Sequence, residues 1–125
     1  LLLWCHFFIY WDYFDKKFKE LEMNIKELNS NEIMPGFHGR IINGSEFTWV
    51  YWEIDKGASL PEHNHENEQL MHVLEGEFEF TINGKKNICT KGSTFLIPSN
   101  VPHSGKALTQ CTIMDVFSPK RDDLG

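Results

Sequence analysis

Cysteine is scarce in this sequence, and the cysteines that are present are not arranged for cross-linking or for zinc. Cys5, Cys89 and Cys111 are odd in number and far apart, and none of them belongs to a CxxC pair. This spacing excludes a disulfide framework and a zinc ribbon, and it favours reduced thiols in a cytoplasmic protein.

Basic residues are also few. Twelve Lys and Arg stand against 18 Asp and Glu, which gives a formal net charge of −6. A protein that binds nucleic acid without sequence preference needs a basic stripe that displaces counterions from the phosphates. The sequence therefore predicts no nucleic-acid partner.

Long apolar runs are missing as well. The most apolar stretch, residues 1–14, is interrupted by Asp12, and it is shorter than the roughly 20 residues of a membrane-spanning helix. It also lacks the leading basic residues and the small-residue cleavage site of a secretory signal. Because a plausible start lies at Met23, we interpret residues 1–22 as an over-extended leader that is not native. The alternative is an amphipathic arm that packs on a partner subunit or a membrane surface.

The chain as a whole has the size and composition of one globular domain. With 125 residues, of which 41% are hydrophobic and 14% aromatic, the chain can fill a single β-type core. We divide it into the leader, an N-terminal arm at 23–34, a barrel at 35–119 and a tail at 120–125.

From residue 37 onward, short segments alternate between apolar and polar residues, with turn residues between them. Residues 77–82 alternate strictly, and Asn83-Gly84 then supplies the positive φ angles of a tight hairpin turn. Further strands are predicted at 47–54, 93–97 and 109–117. Turn signals at intervals of about 8 to 12 residues are typical of a sandwich or barrel. The predicted fold class is therefore all-β.

Two motifs of glycine, histidine and proline lie on either side of a predicted hairpin. They read Gly57-x5-His63-x-His65-x3-Gln69-x6-Gly76 and Gly92-x5-Pro98-x-Asn100-x-Pro102-His103. Taken alone, a His-x-His pair is more often packed or exposed than bound to a metal, and glycines suit the turns of any meander. Glycine, histidine and proline residues at matched spacing on both sides of a hairpin favour a metal site instead.

These motifs resemble the paired motifs of the cupin superfamily, which implies a single jelly-roll barrel, also called a double-stranded β-helix. Residues two apart on a strand share a face, so His63 and His65 can point at one position inside the barrel. His103 would arrive from a second hairpin, and Gln69 could complete the ligand set with its amide oxygen. Such a set suits a divalent transition metal, Zn, Ni, Fe, Mn or Cu.

Gln69 stands where many cupins have a glutamate. A neutral ligand set leaves the +2 charge of the metal uncompensated, and this favours an anionic substrate. Glu66 and Glu68 are alternative ligands, although a shift of one residue turns Glu68 to the opposite face of the strand.

A closer resemblance is to the pectin-degradation cupins. Those proteins convert 4,5-unsaturated monouronates from pectin or alginate into open-chain 4-deoxy-5-keto uronates. The resemblance depends on Gln69 and on the stretch Asp115-Val116-Phe117-Ser118-Pro119-Lys120-Arg121. It implies metal ligands at His63, His65, Gln69 and His103, and catalytic residues at Asp115, Phe117 and Arg121. It also implies a sugar acid as substrate and a homodimer.

The C-terminal residues also support this chemistry by themselves. Asp115 and Phe117 share a strand face and can point into the barrel. We hypothesise that Asp115 moves a proton, Arg121 binds a carboxylate and Phe117 stacks on the sugar. The alternatives are a surface carboxylate at Asp115 and a solvated arginine at Arg121.

Two other functions are compatible with the sequence. One is a metal-dependent dioxygenase, against which the neutral Gln69 argues. The other is a non-catalytic sugar-binding module, since a fold does not determine a function.

Overall fold

The structure is a computed structural model that describes residues 22–124. The predicted leader at 1–22 therefore lies, apart from Glu22, outside the described residues. Ten strands form the regular structure: β1 (Asn31–Met34), β2 (Phe37–Asn43), β3 (Thr48–Ile54), β4 (Ser59–His63), β5 (Glu68–Glu75), β6 (Phe78–Ile82), β7 (Lys85–Cys89), β8 (Thr94–Ile97), β9 (His103–Ala107) and β10 (Cys111–Ser118). Two short 3-10 helices lie at Ile25–Glu27 and Asp122–Leu124.

The strands form two antiparallel sheets that enclose one core. The order is β1-β2-β3-β10-β5-β8 in the six-stranded sheet and β4-β9-β6-β7 in the four-stranded sheet. From β3 onward the chain crosses repeatedly between the two sheets, as it does in a jelly roll. This arrangement confirms the predicted all-β class.

Alternating burial along the central strands builds the core. In β3 every second residue is buried, including Val50, Trp52 and Ile54, and β5 and β10 follow the same alternation. From the four-stranded sheet, Phe78 and Phe80 join the same cluster. Each such fully buried side chain contributes about 1.5–3 kcal/mol through removal of apolar surface from water.

Strands with clear alternation and turn signals are where the sequence predicts them. β6 covers most of 77–82, and the turn after it has Asn83 at φ 48° and Gly84 at φ 80°. β10 covers most of 109–117 but begins at Cys111.

Several strands have no bounds predicted from the sequence, and β9 and β1 are two of them. β9 contains His-Ser-Gly-Lys-Ala, which has little β propensity, and it is held by pairing with β4 on one side and β6 on the other. Its Gly105 lies against the ring of Phe78, where a Cβ atom would overlap the ring. β1 pairs with β2, so the sheet begins at Asn31, within the segment predicted as the N-terminal arm.

Among residues 22–124, no helix reaches the length and apolar character of a membrane span.

Candidate metal centre

Three histidines converge inside the barrel. His63 is the last residue of β4, and its register partner His103 is the first residue of β9. The His63 and His103 ring centroids are 4.3 Å apart, and those of His65 and His103 are 4.9 Å apart. One ring nitrogen from each histidine lies within 4.8 Å of the others. This cluster can hold a metal ion.

The backbone position of His65 differs from the prediction. Strand alternation predicts His63 and His65 on one strand, but β4 ends at His63 and His65 lies in the loop before β5. Its Nδ1 is hydrogen-bonded to the carbonyl of Asn67 at 2.9 Å, which turns the ring toward the cluster. The loop, and not strand alternation, brings the second imidazole to the site.

Backbone hydrogen bonds set the proton position on each ring. In each histidine Nδ1 lies 2.8 to 2.9 Å from the carbonyl oxygen of a residue two positions away, namely Pro61, Asn67 and Val101. A carbonyl only accepts hydrogen bonds, so in the neutral form of each ring Nδ1 carries the proton and Nε2 keeps its lone pair. Three Nε2 lone pairs are therefore available to a metal.

The Nε2 atom of His103 is a buried polar atom that a metal could satisfy. It is buried and has no hydrogen-bond partner among the described residues, a situation that costs about 1–3 kcal/mol for a buried polar group. Burial lowers the pKa of His103 to about 4, and burial, followed by the charge of Arg121, lowers the pKa of His65. Both rings are therefore neutral near pH 7, the form that binds metal. The residues present fit a divalent metal.

Gln69 lies beside this cluster on β5. It is buried and shares the inner face with Met71 and Val73, as the alternation predicts. Its Oε1 is 3.1 Å from His65 Nε2, and its Nε2 donates to Asp115 Oδ1 at 3.0 Å. Because two lone pairs that face each other repel unless a cation lies between them, this pairing also fits a metal.

The two alternative ligands are placed differently from Gln69. Glu66 and Glu68 are exposed, whereas Gln69 is buried. Glu68 precedes Gln69 on β5 and therefore lies on the outer face of the sheet.

Asp115 is a buried carboxylate that orients Gln69. Its Oδ1 accepts from the Gln69 amide, and its Oδ2 accepts from Trp52 Nε1 at 2.9 Å. Burial raises the pKa of Asp115 to about 6, although both hydrogen bonds and the charge of Arg121 act in the opposite direction. Asp115 is thus not a surface carboxylate, and it can change protonation state near neutral pH.

Trp52 is a site residue that the strand pattern indicates only as core. A signal was available in the sequence, because a buried indole N–H needs a hydrogen-bond acceptor and Trp52 has the inward phase of β3.

Arg121 and Phe117 form the other side of the site. The guanidinium of Arg121 lies 4.9 Å from the centroid of the Phe117 ring, and that ring meets His65 edge-on at 5.6 Å. The backbone N–H of Arg121 donates to Thr48 Oγ1 at 2.8 Å. Its side chain is only 13% exposed, so Arg121 is not a solvated tail residue. Its guanidinium also contacts Asp123, a second site residue that the sequence pattern does not indicate.

Most of the candidate site residues line one cavity of about 390 Å³. Six of the seven predicted site residues line it: His63, Gln69, His103, Asp115, Phe117 and Arg121. Apolar residues such as Ile33 and Leu60 form much of the remaining wall. This volume lies in the range of small-molecule pockets. The polar lining consists of His63, His103, Gln69, Asp115, Arg121 and Asp123.

Known proteins share this architecture. Residues 50–117 match the family described as Cupin domain. The pectin degradation protein KdgF of Dickeya dadantii (strain 3937) is 33% identical over 95 residues, which cover 74% of this chain and 86% of that protein.

Two solved structures are similar to this chain in fold and in sequence. An RmlC-like cupin from Shewanella frigidimarina NCIMB 400 has a TM-score of 0.79 and 29% identity, and the match covers 82% of this chain and 94% of that one. KdgF from Halomonas sp. has a TM-score of 0.75 and 30% identity, and the match covers 80% of this chain and 94% of that one. With this domain match and a relative of this identity, the chain belongs to the cupin family and is related to the pectin degradation protein KdgF.

Proposed function

We propose that the protein is a metal-dependent cupin enzyme that converts 4,5-unsaturated monouronates, released from pectin or alginate, into open-chain 4-deoxy-5-keto uronates. The observation that carries this proposal is a single cavity lined by His63 and His103 of the three-histidine cluster and by an arginine stacked on an aromatic ring. The cluster can hold a metal, and the arginine can bind a carboxylate. The relationship to KdgF supports a sugar acid from pectin as the substrate.

The proposed ligands are the Nε2 atoms of His63, His65 and His103 and the Oε1 atom of Gln69. They would hold a divalent transition metal such as Zn, Ni, Fe or Mn. When bound, such an ion supplies Lewis acidity that stabilises negative charge on a substrate oxygen. All four protein ligands are neutral, so the site favours an anionic substrate over a neutral sugar.

Arg121 and Phe117 bind the substrate in this proposal. A guanidinium presents parallel N–H donors to a carboxylate, and an aromatic ring packs well against the apolar face of a sugar. Because Arg121 stacks on Phe117 and Phe117 contacts His65, the two side chains set the distance between the carboxylate and the histidine cluster.

The reaction is an isomerisation in which atoms balance without a second substrate. The anomeric hydroxyl loses a proton, the bond between C1 and the ring oxygen breaks, and C4 gains a proton as the C5 enol becomes a ketone. Asp115 lines the cavity, and its pKa of about 6 suits it to move one of these protons near neutral pH. Hydrogen bonds from Gln69 and Trp52 hold its carboxylate in place.

The test follows the ultraviolet absorbance of the conjugated enol acid in an unsaturated monouronate. We expect metal-loaded protein to accelerate its loss, chelator treatment to abolish the effect and reloading to restore it. The Asp115→Ala variant should lose most of the activity, whereas Asp55→Ala, at an exposed carboxylate, should keep it. If metal-loaded protein gives no acceleration, the uronate reaction is wrong. Oxygen consumption in the same assay would instead favour a dioxygenase.

The proposal includes a homodimer. Leu70 and Leu96 are register partners on β5 and the edge strand β8, and they are 42% and 61% exposed. An apolar pair at a sheet edge is stabilised when a second copy covers it. Analytical ultracentrifugation should show a dimer that Leu96→Lys weakens, and a monomer at micromolar concentration would contradict this part of the proposal.

A further inference from the structure

The guanidinium of Arg121 is already paired with a carboxylate of the same chain. Its Nε donates to Asp123 Oδ1 at 3.1 Å, and its Nη2 donates to Asp123 Oδ2 at 2.6 Å. These two parallel hydrogen bonds have the bidentate geometry in which arginine binds carboxylate ligands. One edge of the guanidinium is therefore occupied by Asp123.

This pair lies at the wall of the candidate site. Arg121, Asp123 and Leu124 all line the cavity, and Leu124 packs against the core. The Arg121 side chain is 13% exposed and that of Asp123 is 66% exposed. The short helix Asp122–Leu124 thus places an exposed carboxylate over a largely buried guanidinium.

Arg121 has other contacts that hold it in place. Its guanidinium stacks on Phe117, and its backbone N–H donates to Thr48. Removal of the Asp123 carboxylate would therefore leave the guanidinium close to its present position. Asp123 would then act on an anionic ligand mainly by repelling its charge and by occupying the N–H donors of Arg121 that the ligand would use.

We infer that Asp123 is an internal competitor for the carboxylate of the ligand, so that it weakens the binding of every carboxylate at Arg121. This inference deepens the proposed function and depends on it for the identity of the substrate. A carboxylate held in the same chain competes at a high effective concentration. Simple acids then bind poorly, and a sugar acid compensates through its contacts at the histidine cluster. The product also carries a carboxylate, so the same competition favours its release.

Calorimetry on metal-loaded protein tests this inference with D-galacturonate and acetate as probes. We expect Asp123→Asn to bind both acids about three- to tenfold more tightly, the size expected when one repulsive charge near the surface is removed. Neutral galactose should bind no more tightly to the variant than to the wild type. The matched control is Asp122→Asn, which makes the same charge change at a neighbouring side chain that is 86% exposed and pairs with Lys120 at 3.3 Å.

A second measurement separates this inference from the proposed function. The Nε–H resonance of Arg121 in a nitrogen–proton NMR spectrum reports the hydrogen bond to Asp123 directly, and acetate can be titrated against it. We expect this resonance to respond at lower acetate concentration in Asp123→Asn than in the wild type or in Asp122→Asn. If galacturonate binds no variant, the uronate function fails, while the acetate titration still decides the role of Asp123. Equal or weaker acetate binding by Asp123→Asn would overturn the inference.

Discussion

Replacement of Asp115 by asparagine should reverse the amide of Gln69 and thereby remove a proposed metal ligand. The wild-type carboxylate accepts hydrogen bonds from Trp52 Nε1 at 2.9 Å and from Gln69 Nε2 at 3.0 Å. Asparagine has the same shape but offers one oxygen and one NH2 group. An indole N–H can only donate, so the asparagine oxygen must face Trp52 and its NH2 group must face Gln69. The Gln69 amide then turns, and its own NH2 group points toward His65.

We expect Asp115→Asn to lower the metal affinity and to leave the stability of the fold nearly unchanged. In the turned state Gln69 donates to the lone pair of His65 Nε2, so all hydrogen bonds are made and stability should change by less than about 1 kcal/mol. The metal site, however, loses an oxygen and faces two amide protons. Loss of a group that orients a metal ligand typically lowers the affinity about 10- to 100-fold.

The assay is competition with a chromophoric zinc chelator at pH 8. At this pH the wild-type Asp115 is ionised, since its pKa is about 6. We expect zinc binding by Asp115→Asn to be weaker by about 10- to 100-fold, with a melting temperature of the metal-free protein close to that of the wild type. Asp55→Asn, at an exposed position, serves as the control and should bind zinc normally.

A second substitution should restore the site. In the double variant Asp115→Asn with Gln69→Glu, one oxygen of the introduced glutamate accepts from the asparagine and the other faces the metal. Gln69→Glu alone places a second carboxylate where the Gln69 amide now lies 3.0 Å from Asp115, and two carboxylates at that distance cannot both be ionised. The zinc affinity of this single variant should therefore fall below that of the double variant. Wild-type affinity in Asp115→Asn, or no recovery in the double variant, would refute the proposed orientation of Gln69.

Three further predictions concern a strained glycine, stabilisation by metal and the binding of substrate. Gly76→Ala should lower the free energy of unfolding in urea by about 3 kcal/mol. Gly76 has φ +92°, and an added Cβ would overlap the carbonyl oxygen of Gln110. The control Gly57→Ala, at φ +86° in open space, should lower it by only about 1 kcal/mol. Zinc at about 100 times its dissociation constant should stabilise the wild type by about 2.7 kcal/mol, and calorimetric melting should show that His103→Ala loses this gain. Arg121→Lys should raise KM for the uronate about tenfold in steady-state kinetics, because lysine lacks the planar pair of donors; an unchanged KM would remove Arg121 from substrate binding.

The sequence predicts the parts of the fold that are governed by local pattern. Strict alternation and an Asn-Gly turn specify β6 and the hairpin that follows it. β9 has no such pattern, because its residues are small or polar, and it becomes a strand only through its neighbours β4 and β6. A strand of this kind depends on tertiary pairing, which no local window contains.

Some residues of the candidate site could likewise be placed from local pattern, and others could not. Gln69 could be placed on the inner face because it shares the phase of Met71 and Val73. The position of His65 could not be predicted by alternation, because the strand ends at His63 and a loop hydrogen bond turns the ring inward. The pair of Arg121 with Asp123 depends on how the chain turns after the last strand, and strand alternation does not extend to that turn.

The orientation of the hydrogen-bond donors and acceptors in the site depends on contacts between residues that are far apart in the sequence. Gln69 and Asp115 are 46 residues apart, and Trp52 and Asp115 are 63 residues apart. They meet because β3 and β5 both pair with β10, which brings inward-facing positions of three strands together. Since the indole of Trp52 can only donate, Asp115 must accept from it, and an ionised Asp115 must also accept from Gln69. The oxygen of Gln69 is left to face His65, so the ionised carboxylate of Asp115, held in place by Trp52, determines which atom of the glutamine would face a bound metal.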